Sequence, residues 1–206
     1  LIPHVAMFGY GIGAGGEVVD IYPFFSAGVV HLVASAVLGF GGIWHSLAGP
    51  EKLEEAFPFF STDWRDKDQM TTILGRHLCV LGLGSILFSL NWIFLGGAYD
   101  TWAPGGGAVR LISNPTLNPI RLHYWLASTP WGGGGWIVGV NSMEDIVGGH
   151  VWLAVFQLIG GHFHMQVKPF GWARRAFIWN GEALLSYALG GLCVASFVAS
   201  TFIWFN

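Results

Sequence analysis

Charge is scarce in this sequence. Only 10% of its 206 residues are Asp, Glu, Lys or Arg, against roughly a quarter in an ordinary soluble domain. That leaves too little polar surface to face water on every side. Basic residues are few as well. Nine Lys and Arg against twelve Asp and Glu give a net charge of −3, so there is no electrostatic footprint for a nucleic-acid partner. The two cysteines, Cys79 and Cys193, fall in apolar runs without a metal-site spacing. Both are expected to act as small buried hydrophobes. Catalytic motifs are missing too: there is no Gly-x-Ser-x-Gly, no P-loop and no His-Glu-x-x-His. The Gly105 to Gly107 run sits on a Pro-led turn and is a poor phosphate loop. No enzyme activity is expected. The chain opens on Leu1 rather than Met and shows no secretory leader, so a fragment is expected.

Apolar and aromatic residues fill the chain instead. Hydrophobic residues make up 53% of it, with 11 Trp, 16 Phe and 31 Gly. Four apolar stretches reach the roughly 20 residues a helix needs to cross a hydrocarbon core of about 30 Å. They run over about 26–48, 70–95, 145–167 and 176–205. The expectation is an all-α membrane protein, a bundle with four spanning helices in one membrane domain over residues 1–206. Core helices of a large soluble protein are the alternative, and the shortage of charge argues against them. Lys52, Arg65, Lys67 and Arg76 lie between or at the first two helices. Lys168, Arg174 and Arg175 lie in the turn between the last two. Basic loops stay on the cytoplasm-like side, so 49–69 and 168–175 are placed there. The long loop over about 96–144 carries only Arg110 and Arg121 and faces the other compartment. It is rich in turn formers, including 103–107, Asn114-Pro115, Asn118-Pro119 and Gly132 to Gly135. Residues 1–25 are expected on that same side, loop-like around Gly9 to Gly16.

An internal repeat carries the chemistry. His31 is followed by nine residues and then Gly41-Gly42-Ile43-Trp44-His45. His150 is followed by nine residues and then Gly160-Gly161-His162-Phe163-His164. Fourteen helical residues put the two His of each set about 40° apart on one face and about 21 Å apart along the axis. Each helix then offers one imidazole toward each membrane surface. Ionisable residues inside a membrane are costly and point to function. A neutral imidazole suits the axial position of a metal centred in a flat ring. The Gly-Gly pair clears side chains one turn before the second His, where a flat macrocycle or another helix can approach. His77, at the start of the second helix, joins the layer of His45 and His164, while His31 and His150 form the other.

Each His also has a plainer reading, a hydrogen bond to a neighbouring helix. His162 lies about 200° round the helix from His164 and reads as structural or solvent-facing. His4 and His123 read as surface residues. Glu182 reads as an interfacial carboxylate, a pigment contact or a partner for Arg174 or Arg175. Trp44, Trp92, Trp172 and Trp204 sit at interface depths, as in an aromatic belt. Spacing alone leaves two flat ligands open: chlorophyll, with one His per magnesium, and haem b, with two His per iron from facing helices. His77 has no place in a set of bis-His pairs.

Five longer motifs bear on that choice. Asp100 to Gly107 (DTWAPGGG), Met143 to His150 (MEDIVGGH), Trp172 to Trp179 (WARRAFIW), Gly49 to Glu55 (GPEKLEE) and Gly15 to Asp20 (GGEVVD) resemble the six-helix chlorophyll a inner-antenna family of photosystem II, its smaller member above all. The resemblance covers nearly the whole chain, which is similar to helices two to five. It implies an antenna-type bundle in the thylakoid membrane with the long loop lumenal. It also implies chlorophyll a, beta-carotene and thylakoid lipids as cofactors, and the reaction-centre and small membrane subunits as partners. The family's helix ligands carry over to His31, His45, His77, His150 and His164, as axial ligands to chlorophyll magnesium. The family's first and last helices, and the large loop after the fifth that reaches the manganese cluster, have no counterpart here. His162 stands where an aliphatic residue is usual. Ala108 and the Trp131 to Trp136 segment lack acids usual at those places. Iron-stress and prochlorophyte antennas share the six-helix plan and remain the alternative.

Overall fold

The computed structural model describes residues 2–127, 129 and 135–206. Residues 131–134 of the glycine-rich Trp131 to Trp136 segment lie outside them. The helices are α1 (Ile2–Met7), α2 (Tyr22–Leu47), α3 (Leu53–Ala56), α4 (Lys67–Phe94), α5 (Ile120–Ala127), α6 (Met143–Gln166), α7 (Gly171–Ala176) and α8 (Gly181–Phe205). Strands β1 (Ala98–Asp100) and β2 (Ala108–Arg110) form an antiparallel hairpin. α2, α4, α6 and α8 are long and apolar enough to cross a membrane. The chain is an all-α membrane protein with four candidate spans, as its composition implies.

The spans start where caps allow, and so depart from the apolar runs. α2 begins at Tyr22 rather than near 26, with Pro23 in its first turn, where a missing N–H costs nothing. α4 takes in the polar Lys67-Asp68-Gln69 because the Asp66 carboxylate accepts the N–H groups of Asp68 and Gln69. Ser142 caps α6 by accepting from the Asp145 N–H at 3.3 Å. The fourth run splits in two. α7 ends at Ala176, Phe177 is extended, and the Asn180 side chain restarts the helix by accepting from the Ala183 N–H at 2.8 Å. Asn180→Ala should destabilise the first turn of α8 by about 1 kcal/mol. Faster amide exchange there, and nowhere else, checks it.

Contacts cluster into two compact units, Leu1–Thr62 with Leu95–Leu111, and Asp63–Phe94 with Ile112–Asn206. In the first unit, α2 buries none of its residues. Around the hairpin, Gly15 N–H donates to Gly107 O at 2.7 Å. Arg110 Nε donates to the buried Asp100 carboxylate at 2.8 Å. Gly9, Gly11, Gly15 and Gly16 all have positive φ, which accounts for the tight turns after α1.

In the second unit, α4 and α6 pack antiparallel along a seam of small residues. α4 buries Thr71, Gly75, Gly82 and Ser89; α6 buries Val147, Ala154 and Gly161, spaced seven apart. A seven-residue repeat keeps one helix face on its partner, and small side chains let backbones approach. A Cβ placed on Gly75 would lie 2.5 Å from Gly161 O. One on Gly82 would lie 2.8 Å from Leu158 Cγ. Polar groups brace the ends. Asp68 accepts from Arg174 at 2.8 Å and pairs with Lys168 at 3.5 Å. Arg121 donates to Asp145 at 2.8 Å and stacks on Tyr124. The long-loop arginines, Arg110 and Arg121, are thus each matched by a carboxylate of their own unit, which leaves that loop with little net positive charge.

Candidate functional site

α2 carries His31 and His45 in the first unit. α4 carries His77, and α6 carries His150 and His164, in the second. His31, His45 and His77 are exposed; His150 and His164 are half-buried. His162 is exposed on α6, His4 lies on α1 and His123 on α5.

Three of the five imidazoles share one geometry. His31 Nδ1 lies 2.7 Å from Ala27 O, His77 Nδ1 lies 2.9 Å from Ile73 O, and His150 Nδ1 lies 2.8 Å from Ile146 O. Each partner is the carbonyl four residues back on the same helix. A carbonyl can only accept, so Nδ1 must carry the proton and donate. The neutral ring then keeps its lone pair on Nε2. This is the arrangement a metal-binding histidine uses, with one nitrogen on backbone and the other on the metal. His164 differs: its Nδ1 lies 2.9 Å from Thr71 Oγ1 of α4. His45 packs edge-on against Trp44, with centroids 4.9 Å apart.

Among the described residues, no group of three or more His, Cys, Asp or Glu is placed to enclose a metal ion. A macrocycle's four nitrogens could complete the coordination of a metal held at one of these imidazoles. The helix surface is open at glycines beside His45, His150 and His164. A Cβ at Gly41, Gly42, Gly149 or Gly160 would meet nothing within 4 Å. The second glycine of the α6 repeat is different. A Cβ on Gly161 would lie 2.6 Å from Cys79 Sγ and 2.7 Å from Gly75 O. Of the two uses open to the Gly-Gly pair, α2 leaves both glycines open, whereas α6 gives one to the neighbouring helix.

Bis-imidazole ligation between α4 and α6 has no support. Opposite His150 stands Trp92, with ring centroids 5.4 Å apart, and opposite His164 stands Thr71. Neither α6 imidazole faces a second one on α4.

Several expected roles change. Trp92 is not part of an interfacial belt; it is 5% exposed and buttresses His150. Cys193 is exposed on α8, and only Cys79 packs against another helix. Arg174 is engaged by Asp68, while Glu182 stands exposed in the first turn of α8. There its charge suits the helix dipole. Thr71 carries no signal in the sequence that ties it to the site. Nothing local marks a threonine 93 residues away from the histidine it touches.

The exposed surface is the last element of the site. α2 and α8 bury none of their residues, and Leu32, Leu38, Phe40, Leu192, Phe197 and Ile203 are all more than half exposed. Apolar faces of this length are stable only against lipid, pigment or other apolar helices. The family model described as Photosystem II protein matches residues 1–206.

Proposed function

The chain belongs to the photosystem II protein family, and from that membership we propose that it is a chlorophyll-binding inner antenna. It gathers light and passes excitation to the photosystem II reaction centre. The finer identity proposed is the smaller, 43 kDa inner antenna. The observation that carries the reading is the shared state of His31, His77 and His150, each with Nδ1 committed to its own helix and a lone pair on Nε2. Each such imidazole suits one magnesium, with chlorophyll a completing its coordination, and open glycines lie beside His45, His150 and His164. His45 and His164 complete the ligand set. Each of α2 and α6 would then hold one pigment toward either end, at His31 and His45 on α2 and at His150 and His164 on α6, with His77 on α4.

Chlorophyll a, when bound, supplies absorption and excitation transfer. The protein's share is to fix the spacing, tilt and surroundings of each ring, and it carries out no bond chemistry. Beta-carotene and thylakoid lipids fit the exposed apolar helices. The proposed setting is the thylakoid membrane of a chloroplast or cyanobacterium, with reaction-centre and small membrane subunits as partners. The iron-stress and prochlorophyte antennas are the nearest alternative. The Asp100 to Gly107 hairpin and its long loop favour the photosystem II member.

An absorption spectrum of the purified protein tests the reading. The expected result is a strong red band with several chlorophylls per chain. It should also give fluorescence excitation that drives reaction-centre emission in the assembled complex. Redox-active green bands would replace this reading with a di-haem carrier. A colourless protein would leave the imidazoles as helix-to-helix hydrogen-bonding groups.

A further inference from the structure

We propose that Thr71 is a positioning residue for the metal held at His164, acting through the imidazole from the neighbouring helix. The proposal rests on His164 being a chlorophyll ligand. His31, His77 and His150 hand their Nδ1 protons to backbone carbonyls of their own helices. His164 instead meets Thr71 Oγ1 at 2.9 Å, across the α4–α6 seam.

The difference is chemical. A carbonyl only accepts, so it fixes the tautomer. A hydroxyl both donates and accepts. If Nδ1–H donates to Oγ1, Nε2 keeps its lone pair and can bind magnesium. If Thr71 donates to Nδ1, the ring proton sits on Nε2 and axial ligation is blocked. The Thr71 hydroxyl must therefore send its own proton elsewhere, and helical threonines commonly direct it to a carbonyl one turn back. Thr71 has little freedom to turn away. It is 9% exposed, one turn from Gly75, where the two backbones nearly touch. A hydroxyl is also a weaker acceptor than an amide carbonyl. His164 is then a less electron-rich ligand than His31, His77 or His150, and the pigment it holds has a transition energy of its own.

The test uses three variants in the assembled complex: Thr71→Val, which keeps the shape and removes the hydroxyl, Thr71→Ser, which keeps the hydroxyl, and His164→Leu as the reference. Pigment content, retention during detergent titration and the low-temperature red absorption band are read for each. The valine variant should keep its pigments under mild conditions and release one about tenfold more readily, the lower end of what loss of a partner to a metal-bound histidine costs. It should shift one component of the red band, the same component that His164→Leu removes. Serine should restore both. An unshifted band and unchanged retention in Thr71→Val, with one pigment missing in His164→Leu, would overturn the role of Thr71 and leave His164 as a ligand. Full pigment content in His164→Leu would overturn both. If the valine variant does not assemble, Thr71→Ala decides by the same readouts.

Discussion

His150→Leu should remove one chlorophyll per chain and leave the helices in place. The imidazole is half-buried on α6, edge-on to Trp92, and its Nδ1 is bonded to Ile146 O at 2.8 Å. Leucine keeps comparable volume against Trp92 and removes the lone pair. The lost hydrogen bond does not orphan its acceptor, because Ile146 O still has the helical N–H four residues on. The structural cost is therefore small beside the loss of the ligand proposed for a chlorophyll magnesium. Helix content by circular dichroism should be unchanged while the chlorophyll-to-protein ratio falls and the red band loses one component. Unchanged pigment content and spectrum would remove His150 from the ligand set. The Nε2 lone pair inferred for His31 and His77 would then lose its functional meaning.

The spans are legible in the sequence because crossing a membrane is a property of composition over about 20 residues. No distant contact is needed to see it. The ends of the spans are harder. Lys67, Asp68 and Gln69 break the apolar run, and only the cap from Asp66 makes them helical. Ala176 to Asn180 continues an apolar run but is interrupted by the extended Phe177. In the candidate site, the repeat His, nine residues, Gly-Gly, any residue, aromatic, His picks out His31, His45, His150 and His164, and leaves out His77. Their tautomers also follow from local geometry, since the acceptors at Ala27, Ile73 and Ile146 are one turn away. What lies across the seam is not legible. Thr71 against His164, Trp92 against His150 and Ser85 against Gln157 each join distant parts of the chain. They depend on a register that small residues set and hydropathy does not encode.

That register gives the other large effect, a reversal between adjacent glycines. Gly161→Val should destabilise the α4–α6 pair by about 1–3 kcal/mol or more, the usual cost of forcing extra atoms into a filled interface. Its Cβ would press on Cys79 Sγ and on the Gly75 carbonyl, and the latter is backbone that cannot step aside. Gly160→Ala, one residue earlier, should leave the α4–α6 pair intact and favour the helix by about 0.5–1 kcal/mol, because its Cβ meets no protein atom within 4 Å and faces only the ring proposed to lie there. The pigment readout separates the two further. Splaying α4 from α6 takes Thr71 from His164 and Trp92 from His150 together. The valine variant should therefore weaken retention at both α6 imidazoles at once, whereas His150→Leu affects one. Thermal unfolding in detergent and pigment retention measure both. Equal responses at Gly160 and Gly161 would mean that the α4–α6 seam does not hold these imidazoles in place.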